Sequence, residues 1–117
     1  MRYQDLFRLD GRLALVTGAS SGIGAATARM LAEAGARVLA GYNRGAARAA
    51  DIVAALPGAG HRAVHISLED SATSRAVADE VARETGRLDI LVNSAGFTQA
   101  VAHADLDALD DALFERV

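Results

Sequence analysis

The 117-residue sequence contains no cysteine, no lysine and one proline. Without cysteine the chain has neither a disulfide framework nor a thiolate metal site. All 12 basic residues are arginine, scattered without a run among 15 acids, and a net charge of −3 argues against nucleic-acid or anionic-membrane partners. No apolar run approaches a membrane span and no leader pattern opens the chain, which predicts a cytoplasmic protein without membrane association.

Short apolar segments alternate with helical patterns along the whole sequence. The predicted strands are residues 12–17, 36–42, 62–67 and 88–93. The first two helices are predicted over residues 22–34 and 45–56, and a third runs from a cap at Asp70 or Ser71 to Gly86. In the first helix Ile23, Ala26, Met30 and Leu31 share a face.

A fourth helix is predicted over residues 105–117. It carries one apolar stripe and acids near its positive end, namely Leu106, Leu109, Leu113 and Val117 with Asp105, Asp107, Asp110 and Asp111. The strict alternation predicts one α/β domain over residues 1–117, a Rossmann-type doubly wound parallel sheet of order 3-2-1-4 with helices on both faces. The fourth strand is then an edge strand.

Three glycines stand where the first strand meets the first helix. Gly18 is predicted to make the tight turn, Gly22 to let the backbone approach a pyrophosphate, and Gly24 to let the helix lie close to the sheet. Main-chain N–H groups and the helix dipole face an anion at such a place. The alternative is a glycine-rich turn that holds no ligand.

Two motifs in this sequence resemble those of one enzyme family. Residues 17–24, TGASSGIG, have TGxxxGxG spacing, and residues 93–96, NSAG, are similar to an NNAG element with serine in its second place. The lead-in RLDGRLALVTGAS, residues 8–20, agrees with both. The chain therefore resembles the short-chain dehydrogenases/reductases, which implies hydride transfer between a nicotinamide dinucleotide and a small-molecule carbonyl or alcohol, in a homo-oligomer.

The resemblance also implies cofactor contacts, residue by residue. Gly18, Ser20, Ser21, Gly22, Ile23 and Gly24 would line the adenosine and pyrophosphate half, while Asn93, Ala95 and Gly96 would flank the adenine-side ribose. Ser67 and Leu68 occupy the places of an Asp and an apolar residue that contact adenine in the family. A strand-end serine is the alternative for Ser67, and Asn93 can also satisfy backbone groups where its strand ends.

Cofactor choice depends on the end of the second strand. NAD-specific members carry an acid there, which binds the ribose 2′-hydroxyl. This chain has Tyr42 at that place, followed by Asn43 and Arg44, so no acid repels a 2′-phosphate and Arg44 can bind it. The prediction is NADP(H) in preference to NAD(H), the alternative being that Arg44 is merely solvated.

The family's catalytic serine and YxxxK pair have no counterpart here. Tyr3 and Tyr42 are followed four residues later by Phe7 and Ala46, so no catalytic residue is assigned and the chain is predicted to be inactive alone. His61 and His65 lack a third ligand, and no metal is predicted. Three interpretations stay open: the cofactor-binding half of a complete oxidoreductase, a free-standing nucleotide-binding or regulatory module, and a non-functional truncation product.

Overall fold

A computed structural model describes residues 3–96, 104 and 106–116. The strands are β1 (Leu13–Val16), β2 (Arg37–Tyr42), β3 (Arg62–His65) and β4 (Ile90–Val92), and the helices are α1 (Gly22–Glu33), α2 (Ala46–Ala55), α3 (Ser71–Glu84) and α4 (Asp111–Arg116). Two short 3-10 helices, Tyr3–Phe7 and Leu106–Ala108, complete the regular structure of these residues. None of the described helices is long and apolar enough to cross a membrane.

The sheet confirms the predicted topology. Its order is β3-β2-β1-β4 and all three pairings are parallel, with Leu15 opposite Leu39 on one side and Leu91 on the other. The chain therefore moves outward from β1 to β3 and returns through α3 to place β4 on the other side of β1. This reversal creates a crevice at the carboxyl ends of β1 and β4.

Helices cover both faces of the sheet because alternate strand residues point to opposite sides. Val16, Val38 and Ala40 pack with Ala28 and Ala32 of α1, and α2 adds further apolar contacts on that face. The other face carries a cluster beneath α3, formed by Leu13, Leu15, Leu39, Val64, Val77 and Val81. Neither face has the polar alternation of a sheet exposed to water, in keeping with a doubly wound fold.

Helix α1 turns mainly its small residues to the sheet. Its buried residues are Gly24, Ala28 and Ala32, whereas Ile23 and Met30 are largely exposed. The helix lies so close to the sheet that its fully buried positions hold only glycine and alanine, while Leu31 packs at the margin of the core. Of the four residues predicted to share a face, Ile23, Ala26 and Met30 are exposed, whereas Leu31 is partly buried against the core.

The cap prediction for α3 is confirmed at Asp70, whose carboxylate accepts the N–H of Ala72 at 3.0 Å. The fourth helix begins later than predicted. Asp110 accepts the N–H of Leu113 at 2.8 Å, which caps the helix at Asp111 and separates it from the preceding 3-10 turn. Leu113 is buried but Leu106 is exposed, so the predicted stripe is not continuous; Asp105 and Val117 lie outside the described residues.

Candidate functional site

A cleft of about 590 Å³ opens at the carboxyl-terminal end of the sheet. Its walls come from the segments that follow β1, β2, β3 and β4, so residues distant in sequence meet there. The lining residues are Gly18, Ser20, Ser21, Ile23, Gly24, Asn43, Arg44, Gly45, Arg48, Ile66, Leu68, Glu69, Ser94, Ala95 and Gly96.

Most of the residues predicted to contact a cofactor line this cleft, but Gly22, Ser67 and Asn93 do not. Ser67 is engaged elsewhere: its hydroxyl accepts the N–H of Glu69 at 3.3 Å, and its own N–H donates to Thr73 Oγ1 at 2.8 Å. Asn93 lines a neighbouring apolar groove between α3 and β4. The side chains of Ser67 and Asn93 thus lie beside the cleft rather than in it.

The amino-terminal end of α1 faces the cleft without a side-chain cap. Ser21, at the N-cap position, makes no capping hydrogen bond, so the first N–H groups of the helix have no side-chain acceptor there. Gly22 has φ of 59°, and a side chain on it would extend into open space. Bare backbone donors at the positive end of a helix are suited to an anionic ligand.

Close packing of backbone on backbone holds this turn in place. A Cβ on Gly24 would overlap the Gly18 carbonyl group, and one on Gly18 would lie 2.8 Å from the Cα and N atoms of Ala95. The N–H of Ala19 donates to Gly41 O at 2.8 Å, which joins the turn to β2. The glycines are therefore needed for contact between the turn, the helix and the loop after β4.

Thr17 connects the same turn to the loop after β4. It is 4% exposed, and its hydroxyl oxygen accepts the N–H groups of Ser94 and Ala95, both at 3.1 Å. Its own N–H donates to Val92 O at 3.0 Å. One buried side chain thus fixes two walls of the cleft relative to each other.

Two arginines reach the cleft from the start of α2. Arg44 precedes the helix, Arg48 lies in its first turn, and both are exposed. Neither forms an ion pair within the described part of the chain. The helix itself has no acid in its first turn and no side-chain cap at Gly45, so the local potential is positive.

Sequence reasoning missed several lining residues: Gly45, Arg48, Ile66, Glu69 and Ser94. A signal existed for Arg48, which follows Arg44 by four residues where α2 was predicted to begin. Gly45 had no sequence signal. A Cβ on it would lie 2.9 Å from both Cβ and Oγ of Ser20, a contact between distant segments that only the fold creates.

The residues with displaced pKa values include two carboxylates at the opposite, amino-terminal end of the sheet. Hydrogen bonds from Arg37 and Arg62 hold the pKa of Glu84 below its usual value. The pKa of Asp89 is also lowered, first by the N–H of Leu13 at 2.8 Å and then by Arg87. These carboxylates fasten strands and helices together and lie away from the cleft.

The two histidines considered as metal ligands have structural contacts. His61 Nδ1 accepts the N–H of Val38 at 3.0 Å, and its Nε2 lies 2.6 Å from Pro57 O. The ring of His65 packs against Tyr42 at 5.6 Å between centroids. Over residues 3–96, 104 and 106–116, no group of three or more metal-ligating side chains comes together.

Comparison with known proteins agrees with this geometry. Residues 12–117 match the family described as short chain dehydrogenase. D-threitol dehydrogenase of Mycolicibacterium smegmatis is 47% identical over 106 residues, covering 89% of this chain and 40% of that protein. Cis-4-hydroxycyclohexanecarboxylate dehydrogenase of Sinomonas cyclohexanicum is 48% identical over 108 residues, covering 91% and 42%.

Solved structures give the same result. A short chain dehydrogenase from Burkholderia cenocepacia in complex with NADP superposes with a TM-score of 0.75 and 43% identity, over 93% of this chain and 44% of that one. A cleft at the strand ends, an uncapped helix over a glycine turn and a family match over nearly all residues define a nucleotide-binding oxidoreductase fold. The chain belongs to the short-chain dehydrogenase family, and it spans less than half the length of each of these relatives.

Proposed function

We propose that this chain is the amino-terminal, cofactor-binding half of an NADP(H)-dependent short-chain dehydrogenase/reductase, forming one domain with the remainder of that enzyme. The complete enzyme would act on a small-molecule carbonyl or alcohol. When bound, NADP(H) supplies or accepts the hydride. The residues of this chain would hold and orient the cofactor, while proton transfer and substrate orientation would fall to residues outside it.

The pyrophosphate position is supported by the turn between β1 and α1. Ser21 leaves the first N–H groups of α1 free of a side-chain acceptor, and Gly22 keeps the approach to them open. A diphosphate at this place would receive several main-chain hydrogen bonds and the favourable end of the helix dipole. Gly18, Ser20 and Ile23 line the same part of the cleft and would form its floor and side.

The adenosine half would lie across the ends of β2, β3 and β4. Leu68 is 64% exposed where it lines the cleft and would cover one face of adenine, and Ala95 and Gly96 would flank the ribose. Ser67 and Asn93 would then act from beside the cleft, by shaping the loops that carry Leu68 and Ala95. Their side chains are engaged or directed elsewhere, which favours such an indirect role.

Arg44 is the observation that carries the choice of NADP(H). It lines the cleft after β2 with no carboxylate paired to it in the described residues. Residues 42–44 include no acid that could bind a ribose 2′-hydroxyl. A guanidinium is suited to a phosphate because it can form two parallel charge-assisted hydrogen bonds. The relative from Burkholderia cenocepacia, whose structure is a complex with NADP, supports this proposal.

A free-standing nucleotide-binding module is the second candidate, since the sequence has no lysine and no YxxxK pair. Under either proposal the chain alone is expected to turn over no substrate. The cytoplasmic location and the homo-oligomeric state stay predictions.

The cofactor proposal is tested by titrating NADPH and NADH into the protein produced with all of the chain that its gene encodes. We expect NADPH to bind at least about tenfold more tightly, because a charge-assisted hydrogen bond contributes roughly 1.5–3 kcal/mol. Arg44→Ala should remove most of this preference and leave the NADH affinity unchanged. Arg83→Ala, an equal change of charge at the far end of α3, is the control, and equal wild-type affinities would contradict the proposal.

A further inference from the structure

The cleft contains a second cation that the sequence motifs do not assign. Arg48 lines it together with Arg44, and Glu69 is the one carboxylate among the lining residues. Asp51 follows Arg48 by three residues in the same helix, close enough in sequence for an ion pair, yet no such pair forms. Arg48 thus lines the cleft without pairing with the nearest acid of its own helix.

This position is electrostatically unfavourable in the absence of an anion. Arg48 lies in the first turn of α2, where the helix dipole is positive, and that turn carries no acid. Arg44 adds a second positive charge one residue before the cap. Elsewhere in the described chain, Arg12, Arg37, Arg62 and Arg87 each have a carboxylate partner. Arg75 and Arg83, both exposed on α3, have no ion pair among the described residues either, but Arg44 and Arg48 are the unpaired arginines that line the cleft.

Close packing fixes where this pair lies relative to the glycine turn. Gly45 approaches Ser20 so closely that a Cβ added to this glycine would lie 2.9 Å from the serine hydroxyl oxygen. The same added Cβ would lie 3.9 Å from the Cβ of Arg48. The root of the Arg48 side chain is therefore on the side of α2 that faces the turn. A ligand anchored at the start of α1 lies within one continuous cleft with both arginines.

We infer that Arg48 is a second specificity-determining residue, which binds the 2′-phosphate of NADP(H) jointly with Arg44. This inference rests on the proposed function. Two guanidiniums around one phosphate divide its charge and its acceptor oxygens between them, so each contributes to the discrimination against NADH. Arg44 is held by the loop after β2 and Arg48 by the helix, and their contributions are separable by mutation.

The test compares dissociation constants of NADPH and NADH for the wild-type protein, Arg48→Ala and Arg48→Lys, each on the full gene product. Arg48→Ala should weaken NADPH by about fivefold or more and leave NADH within about twofold, a difference close to 1 kcal/mol. Arg48→Lys keeps the charge but cannot form two parallel hydrogen bonds to the phosphate. Its NADPH affinity should therefore lie between those of the wild type and Arg48→Ala. Arg83 is exposed in the last turn of α3 and belongs to no described ion pair, so Arg83→Ala should change neither dissociation constant.

The outcomes separate the two proposals. A wild-type protein that prefers NADPH, with Arg48→Ala keeping the full ratio, overturns the role of Arg48 and leaves the NADP(H) assignment standing. Equal weakening of NADPH and NADH also overturns it, because the effect would not depend on the 2′-phosphate. A wild-type protein without any preference contradicts the proposed cofactor and the role of Arg48 together. Should the alanine variant fail to fold, the lysine variant tests the same role through a smaller loss of NADPH affinity at unchanged NADH affinity, and an unchanged NADPH affinity would overturn it.

Discussion

The two ends of the sheet differ in how many of their charged groups and helix starts are paired within the chain. At the amino-terminal end, Asp89 accepts the N–H of Leu13 and pairs with Arg87, and Glu84 pairs with Arg37 and Arg62. At the carboxyl-terminal end, the starts of α1 and α2 have no side-chain caps, and the two arginines of the cleft have no ion-pair partner among the described residues.

This difference indicates which end is built for stability and which for a ligand. Donors that are paired within the chain contribute to folding and have little capacity left for a bound molecule. Donors left open at a cleft forgo part of that stabilisation, which an anionic ligand would restore on binding. The carboxyl end also has engaged side chains: Asp70 caps α3, and the Thr17 hydroxyl holds the cleft walls together.

The largest expected effect comes from placing a methyl group inside the glycine turn. Gly24→Ala would push a Cβ into the Gly18 carbonyl, which is backbone and cannot move aside cheaply. Overpacking of this kind should lower the free energy of unfolding by about 3 kcal/mol, measured by denaturant titration. It should also weaken NADPH binding, because the start of α1 would shift.

Gly96→Ala is the matched control for that change. Among the described residues, no atom lies within 4 Å of a Cβ added at Gly96, and its φ is not positive. The free energy of unfolding of this variant should therefore stay close to that of the wild type. If Gly24→Ala were as stable as Gly96→Ala, the close contact between turn and helix would not exist in solution.

A smaller effect is expected from Thr17, the buried side chain that joins two walls of the cleft. Thr17→Val keeps the shape but leaves the N–H groups of Ser94 and Ala95 without their acceptor, at a cost of about 2 kcal/mol in unfolding free energy. NADPH affinity should fall as well, since the loop after β4 loses its anchor. Thr17→Ser retains the hydroxyl and should recover most of both quantities; failure of serine to do so would show that the methyl group matters instead.

The sequence predicted those features that depend on pattern. Strand-helix alternation predicted the parallel order. Asp70 was identified as a cap because an acid just before a helix accepts a hydrogen bond from the first N–H groups, a contact that depends only on nearby residues. The glycine spacing located the turn between β1 and α1, and the wall of the cleft formed by Arg44 followed from its place after β2.

Contacts between distant segments were beyond such reasoning. Three such contacts depend on how the strands are arranged. They are the close approach of Gly45 to Ser20 and the hydrogen bonds that Thr17 and His61 accept from the N–H groups of Ser94 and Val38. The buried face of α1, formed by Gly24, Ala28 and Ala32, could not be identified for a related reason. Periodicity finds apolar residues, but the distance between helix and sheet decides whether large or small side chains are the buried ones.

The smallest expected effect is a pH dependence of stability that comes from Asp89 at the amino-terminal end of the sheet. The pKa of Asp89 is lowered in the folded chain, mainly by the N–H of Leu13, so its contribution to stability is complete above the unfolded pKa of about 3.9 and is lost as pH falls through the folded value. Asp89→Asn should therefore reduce the melting temperature at pH 7, and the difference from wild type should shrink below about pH 4. Asp79→Asn removes an equal charge on α3 outside any described ion pair and should show no such convergence.

NADPH affinity at pH 7 should be the same for Asp89→Asn as for the wild type, because Asp89 lies at the opposite end of the sheet from the cleft. A loss of affinity in this variant would mean that the two ends are coupled, and the division between a stabilising end and a binding end would fail.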